Sequence, residues 1–557
     1  MTTTTRKPEP VWQTIPRPKF GKLTRKQQFD VVVIGGGITG LTAAYLLKKA
    51  GKKVGLLERY KVGYVDTGLT TAHLSYVTDL RLTEMAKNFG EQAAGLVWQA
   101  GARAIDLIES NVEELGIHCE FRRVPGFLHE SIEAKTDESK SLQQDAALAK
   151  KLGFAAQFVS NIPYFNRPGV RFADQAKFHP LKYCFALAKA INGDGSRIFE
   201  DAEVSEVQDN PQRVIVRKHE IGCDYVVIAT HVPLTGTTGL VNATIFQTKL
   251  YPYSSYVIGA KVPKRIVPDA CFWDTTDPYY YLRVEPGEKH DYAIFGGKDH
   301  KTGQEDDHEQ RFTDLNERLL TILPQAVPDR QWSGQVIETN DGLPYIGETA
   351  ERQFASTGYA GNGMTFGTIG GLMAHDAVLG RENPWQKLFS VNRKKVRGGT
   401  WDYLTENLDY PFYFIKDRLT RVASADLGGV QPGEGRVLSL NGERVACSRD
   451  EEGKLTAVSA VCTHMGCLVR WNNAEQTWDC PCHGSRFKPS GEVLGGPAES
   501  PLEPVTVAQQ TPRTSHEGNG RPAAPKKKSV KSKRPAAAKR GGKKQKTSRP
   551  AKRSRSA

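Results

Sequence analysis

Two short runs hold the residue types best suited to chemistry. Cys462-Thr463-His464-Met465-Gly466-Cys467 and Cys480-Pro481-Cys482-His483-Gly484-Ser485 each place a cysteine and a histidine two or three residues apart. Two such turns offer two thiolates and two imidazoles to one centre. That donor set suits a tetrahedral zinc ion, or a two-iron cluster with histidine on one iron. Zinc accounts for four donors and leaves Cys467 and Cys482 without a task.

A second chemical signal lies near the start. Residues 29–34 form a β-rich apolar run of the kind that makes a buried parallel strand. It meets Gly35-Gly36-Gly37-Ile38-Thr39-Gly40, then a helical stretch over 41–50, then a second strand over 54–57 that ends at Glu58. In this order Gly35 makes the tight turn and Gly37 lets the backbone approach a pyrophosphate. Gly40 lets helix and strand pack closely, and the helix N-terminus attracts phosphate charge. Glu58 can accept hydrogen bonds from a ribose. The fingerprint does not choose between NAD and FAD. Arg59 and the small, hydroxyl-rich run Thr70-Thr71-Ala72-His73 extend the candidate cofactor set, being suited to phosphate and flavin. Far along the chain, Gly361-Asn362-Gly363-Met364 leads into another helix, whose N–H groups would face a flavin edge.

The paired Cys/His boxes resemble the Rieske [2Fe-2S] motif, which uses all six residues. The resemblance implies Cys462 and Cys480 on one iron and His464 and His483 on the other. It also implies a Cys467–Cys482 disulfide pinning the two loops. Gly495-Gly496-Pro497 resembles the proline loop over such a cluster, and Ser485 matches the serine that donates a hydrogen bond toward a cluster sulfur. Phe487 stands where high-potential members place tyrosine. Losing that hydroxyl lowers the potential, so the midpoint is expected below the top of the roughly −150 to +300 mV window.

The two glycine loops together resemble the FAD-dependent D-amino-acid oxidase/glycine oxidase superfamily, within the glutathione-reductase-like flavoproteins, over roughly residues 29–383. That implies FAD, a backbone contact from Val204 to adenine, and an arginine clamp for a substrate carboxylate. Thr71-Ala72-His73 is also similar to the context in which some flavin amine dehydrogenases attach FAD covalently through histidine.

The positioning elements follow. Residues 1–27 are an arm rich in Thr, Pro and Lys. Helices are expected over 92–115 and 137–152, a strand over 121–128, paired strands over 197–208 and 213–218, and a buried strand over 225–230. Residues 249–262, 271–284 and 292–296 read as an antiparallel substrate sheet. Alternate strand residues share a face, which groups Tyr279, Tyr281 and Arg283. Arg283 beside tyrosines suits a two-point carboxylate clamp, and His179 is a further catalytic candidate. Residues 385–427 read as a packed helical connector. From 428 to 508 the texture is all-β, with Asn441-Gly442 a strong hairpin signal. The fold class is thus an α/β, Rossmann-like FAD domain (28–384) with an antiparallel substrate subdomain, an all-β Rieske domain and a disordered basic tail (509–557).

Charge is unevenly spread. From residue 511 onward, 17 Lys and Arg face Glu517 alone, a net +16 against +14 for the whole chain, so the body is near −2. The tail has almost no large apolar residue and cannot bury enough surface to fold. It suits weak salt-dependent contact with nucleic acid or an anionic surface, without base stacking. No apolar run reaches the length of a membrane span and no secretory signal opens the chain, so a cytoplasmic location is expected. Nine cysteines are too few for a disulfide scaffold.

The expected activity is dehydrogenation of a small amine, amino acid or hydroxy acid, with electrons leaving singly through the cluster to an external acceptor. One alternative is an NAD(P)H-fed reductase serving a partner oxygenase. The single full G-x-G-x-x-G counts against it. Another is a non-enzymatic redox sensor tethered by its tail.

Overall fold

Val31–Ile34 is buried at all four positions, as an unbroken apolar run in a central parallel strand must be. In the computed structural model, which describes residues 7–232, 249–393, 416 and 427–507, it lies inside a six-stranded sheet. The sheet runs Tyr345–Ala350, Gln353–Thr357, Tyr225–Ile228, Val31–Ile34, Val54–Leu57, Arg197–Phe199, and is parallel except for its first pair. Two glycine-led helices, Ile38–Lys49 and Gly363–Val378, pack on each other over this sheet. The contact is close because Gly371 faces Thr42 and Ala43, where a Cβ would come within 2.8 Å of backbone.

The second layer is a nine-stranded mixed sheet. Its spine is antiparallel: Val327–Thr339, Leu250–Val262, Asp291–Lys301 and Tyr281–Glu285. The expected long strand over 271–284 is in fact two, Cys271–Asp274 and Tyr281–Glu285, which form a hairpin around Pro278. The expected strand over 197–208 is also two, and they belong to different sheets. Arg197–Phe199 joins the parallel sheet, whereas Val204–Gln208 pairs with Arg213–Val216. The break falls at Asp201, at φ 53°, beside Glu200, whose carboxylate accepts from the Val62 N–H at 3.0 Å.

The N-terminal arm packs on the body from Lys7 onward. Trp12 is buried and donates to the Thr70 carbonyl at 2.7 Å, and Gln27–Gln28 pairs with His219–Gly222. The C-terminal β region has a three-stranded sheet, Gly435–Leu440, Glu443–Arg449, Leu455–Ser459. A four-stranded sheet, Arg470–Asn472, Thr477–Asp479, Arg486–Phe487, Val493–Gly495, completes it. Asn441 and Gly442 both have positive φ, as a two-residue hairpin turn demands. Both layers and the β region belong to one compact unit. Most of the expected connector and all of the expected tail lie outside the described residues. No helix among the described residues is long and apolar enough to cross a membrane.

Candidate functional site

The glycine loop is built as its chemistry requires. Gly35 has φ +110°, and a Cβ there would sit 2.2 Å from the Ala229 carbonyl oxygen. A Cβ on Gly40 would sit 2.0 Å from the Gly35 carbonyl oxygen. Gly37 is the N-cap of the helix Ile38–Lys49, whose first N–H, from Ile38, donates to Thr67 Oγ1 at 3.2 Å, and this N-terminus opens toward a cavity of about 520 Å³. Glu58 accepts from the N–H groups of Gly36 and Tyr60, each at 2.7 Å, which fixes its carboxylate at the cavity edge. Each oxygen keeps a lone pair for a ribose hydroxyl. Burial raises its pKa, and the two backbone hydrogen bonds oppose that rise.

Three donors hold the hydroxyl-rich loop from below. Trp12 Nε1 donates to Thr70, Trp332 Nε1 to Leu69 at 2.8 Å, and Arg283 to the carbonyls of Thr71 (3.0 Å) and Ala72. Ala72 takes φ 56°, and its N–H is capped by Thr70 Oγ1 at 3.0 Å. Thr70, Thr71, Val204, Gly361, Gly363 and Met364 all line the cavity, and the helix Gly363–Val378 starts there without a side-chain cap. Two glycine-led helix starts, a glycine cradle and a fixed carboxylate fit a dinucleotide with its pyrophosphate and ribose.

Two expected catalytic residues stand elsewhere. Arg283 is fully buried and does not line the cavity; its guanidinium serves Thr71, Ala72, Phe178 and Glu285. It is on the expected face of the sheet but too deep to meet a substrate. His179 is the N-cap of Pro180–Ile191, accepting from the Lys182 N–H at 3.3 Å, with its ring against Trp12. Tyr281 does line the cavity, its hydroxyl 3.0 Å from Ser255 Oγ. His73 lines it too, edge-on to Tyr281 at 5.6 Å, with Nδ1 3.1 Å from Thr71 Oγ1. Burial, with Arg283 beneath, lowers its pKa to about 3, so it is neutral.

Sequence reasoning missed two carboxylates. Asp79 opens onto the cavity and accepts from Tyr279 at 3.1 Å; a Cβ on Gly361 would lie 2.3 Å from its Oδ2. Desolvation holds Asp79 well above the usual carboxylate range, and Asp299 at about 6. They lie 220 residues apart in the chain, in no local motif.

The Cys/His boxes converge as a donor set. Cys462 and Cys480 are buried and share a side-chain hydrogen bond. The His464 and His483 rings are 4.8 Å apart, and burial lowers their pKa values to about 4 and about 3, leaving neutral imidazoles. Cys467 and Cys482 form a disulfide, so neither offers a metal a thiolate. Two thiols and two neutral imidazoles fit a two-iron cluster. Ser485 is fully buried, with Oγ accepting from the Ala498 N–H at 3.1 Å and its side chain also hydrogen-bonded to Cys462. Phe487 is fully buried.

The β region sits against the cavity. Gly495, Gly496, Ala498 and Arg486 help line it. Arg59 donates to the Leu494 carbonyl at 2.9 Å, and Tyr60 donates to that of Val493. Gln335 donates to the Gly484 carbonyl at 3.0 Å, and Gln304 to that of Pro481 at 3.1 Å. A Cβ on Gly303 would come 2.7 Å from the Cys480 carbonyl carbon. The second box is thus seated on the turn after Asp291–Lys301 at Gly303 and, through Gln335 and Pro252, on the nine-stranded sheet.

Comparison with known proteins agrees with this geometry. Residues 30–376 match the FAD dependent oxidoreductase family (DAO), and residues 421–509 match the Rieske [2Fe-2S] domain. The chain is 34% identical over 513 residues to the Rieske 2Fe-2S iron-sulfur protein YhfW of Bacillus subtilis, covering 90% of this chain and 98% of that one. It is 24% identical over 419 residues to gamma-glutamylputrescine oxidoreductase of Escherichia coli, covering 72% and 95%. In fold it is similar to glycine oxidase from Geobacillus kaustophilus, with a TM-score of 0.57 at 19% identity, covering 66% and 99%. The chain therefore belongs to the DAO family of FAD-dependent oxidoreductases, and carries a C-terminal Rieske domain that binds a [2Fe-2S] cluster.

Proposed function

We propose that this oxidoreductase is a dehydrogenase. It oxidises a small amine, amino acid or hydroxy acid and passes the electrons one at a time through the Rieske cluster to an external acceptor. The observation that carries this reading is the shared cavity: Gly495, Gly496 and Ala498 of the Rieske domain line the same space as the FAD loops. Bound FAD supplies a two-electron acceptor that can release electrons singly, and the cluster supplies a one-electron carrier. Cys462, Cys480, His464 and His483 would hold the cluster. Gly35, Gly37, Glu58, Arg59, Thr70, Thr71, Val204, Gly361, Gly363 and Met364 line the cavity and would hold FAD, while Gly40 and Ala72 lie behind its wall and shape it.

The remaining residues set the conditions. Arg59 and Tyr60, bonded to the Leu494 and Val493 carbonyls, line the cavity with Leu494 and Gly495 where the two domains meet. His73 stays neutral and adds no charge beside the reacting atoms. Val461 and Met465, exposed around the first box, offer an apolar face where an acceptor can meet the cluster. Anaerobic mixing with a reducing substrate should bleach the flavin and then raise the EPR signal of a reduced cluster within the same molecule. Flavin bleaching with a cluster that stays oxidised would overturn the reading.

Ser485 tunes the same step. Its hydrogen bond to Cys462 would stabilise the more negative, reduced state of a cluster bound there. Ser485→Ala is expected to lower the cluster midpoint by roughly 60 mV, the one-electron equivalent of about 1.4 kcal/mol for one charge-assisted hydrogen bond. A potentiometric EPR titration reads this, and the flavin midpoint should not move.

A further inference from the structure

The end of the cavity beneath the second glycine loop is built from acids and aromatic rings. Asp79, Asp299, Trp273, Tyr279 and Tyr281 face it. The Tyr279 and Tyr281 rings lie 5.7 Å apart and are tilted at 52°, so they do not close on each other as a stack. The Ser255 side chain hydrogen-bonds the Asp299 carboxyl, while its Oδ1 is sealed from solvent and has no hydrogen-bond partner among the described residues. A buried carboxylate oxygen without a donor costs several kcal/mol unless a ligand supplies one.

Among the described residues, no Lys or Arg lines that end. The Lys and Arg side chains lining the cavity, among the described residues, are Arg59, Lys61 and Arg486. Arg59 and Lys61 flank Glu58 at the opposite, dinucleotide end. Arg486 is committed to Glu475 and Asp479 of its own domain. Arg283, the residue whose type and strand position suit a carboxylate clamp, is consumed below the floor. Among the described residues, a substrate carboxylate would therefore meet two carboxylates and no counter-charge, whereas an ammonium would meet both acids and the faces of the rings.

We propose that the substrate is an amine cation without a carboxylate beside the reacting carbon, held by Asp299 and Asp79 within a Trp273, Tyr279 and Tyr281 cage. This rests on the dehydrogenase reading above and narrows it. The ammonium docks on Asp299, filling the vacant position at Oδ1. Tyr279 holds Asp79 from the other side by its 3.1 Å hydrogen bond. Desolvation raises both carboxyl pKa values, and a bound ammonium restores the ionised forms.

The test uses the flavin-loaded, cluster-loaded full chain. Tetramethylammonium, which is not oxidised, should perturb the flavin absorbance saturably, while benzoate should leave it unchanged. Under anaerobic conditions n-butylamine should bleach the flavin, and glycine and glycolate should not. Asp299→Asn should weaken tetramethylammonium binding about tenfold or more, as loss of one opposed charge in a shielded site implies. The wild-type ligand panel does not depend on that variant folding. A response to benzoate with none to tetramethylammonium, or bleaching by glycine or glycolate but not by n-butylamine, overturns the proposal. EPR separates the two readings. Bleaching by glycine with cluster reduction refutes the amine cation and keeps the dehydrogenase. Bleaching by n-butylamine with an oxidised cluster does the reverse.

Discussion

Cys480→Ser protein should be yellow, reducible by substrate and devoid of a [2Fe-2S] EPR signal. Cys480 is buried, shares a hydrogen bond with Cys462, and its backbone rests on Gly303. Serine is nearly isosteric, so the backbone contact survives while the thiolate is lost. The flavin loops draw nothing from this side chain, so substrate bleaching should keep its wild-type rate. Delivery of electrons to a protein-sized one-electron acceptor should fall by more than about 100-fold, the upper end of what loss of an outer-shell partner alone costs a metal site. Pre-steady-state absorbance separates the two half-reactions. Unchanged turnover with such an acceptor would mean that the flavin discharges directly and the cluster lies off the path.

That experiment probes a coupling that local sequence does not display. The two boxes and the first glycine loop are legible because their chemistry is written in spacings of two to six residues. Gly35 and Gly40 can be assigned from order alone, and their backbone clearances of 2.2 and 2.0 Å supply the reason. The seating of Gly484 beside Pro252 and Gln335 depends on how two sheets meet, and no period or motif encodes it. The same holds for Asp79 and Asp299. One comes from a loop and the other from the strand Asp291–Lys301, and only the closed fold brings them to one cavity.

Strand alternation gave the face of Arg283 correctly and its depth not at all. A period of two says which side of a sheet a residue faces, and nothing about what already covers that side. Here the loop at residues 69–72 covers it, so an arginine whose type suits substrate recognition holds a loop instead. His179 shows the same limit: histidine suits proton transfer, but the following Pro180 marks a helix start, and its ring caps that helix.

Arg283→Met should therefore act as a stability mutation rather than a substrate-binding one. Arg283 is fully buried, donates to the carbonyls of Thr71, Ala72 and Phe178, and pairs with Glu285. Methionine fills much of the volume but leaves those carbonyls without their donor. Glu285 keeps Arg122 at 2.8 Å and Lys177 at 3.9 Å, which softens the loss of its partner. Breaking a buried ion pair on one side costs about 3–5 kcal/mol, and the lower end applies with two cations still near Glu285. The expected loss is about 3 kcal/mol, seen as a lowered thermal midpoint and a lower flavin content, because the unfastened loop carries Thr70, Thr71 and Ala72. Arg283→Lys should recover little, since an ammonium cannot span three carbonyls and a carboxylate in one plane. A carboxylate clamp predicts the opposite pattern, with KM for an amino acid raised by orders of magnitude in a protein that stays as stable and as yellow as the parent. Thermal denaturation with flavin fluorescence, run beside a substrate titration on the same sample, separates the two.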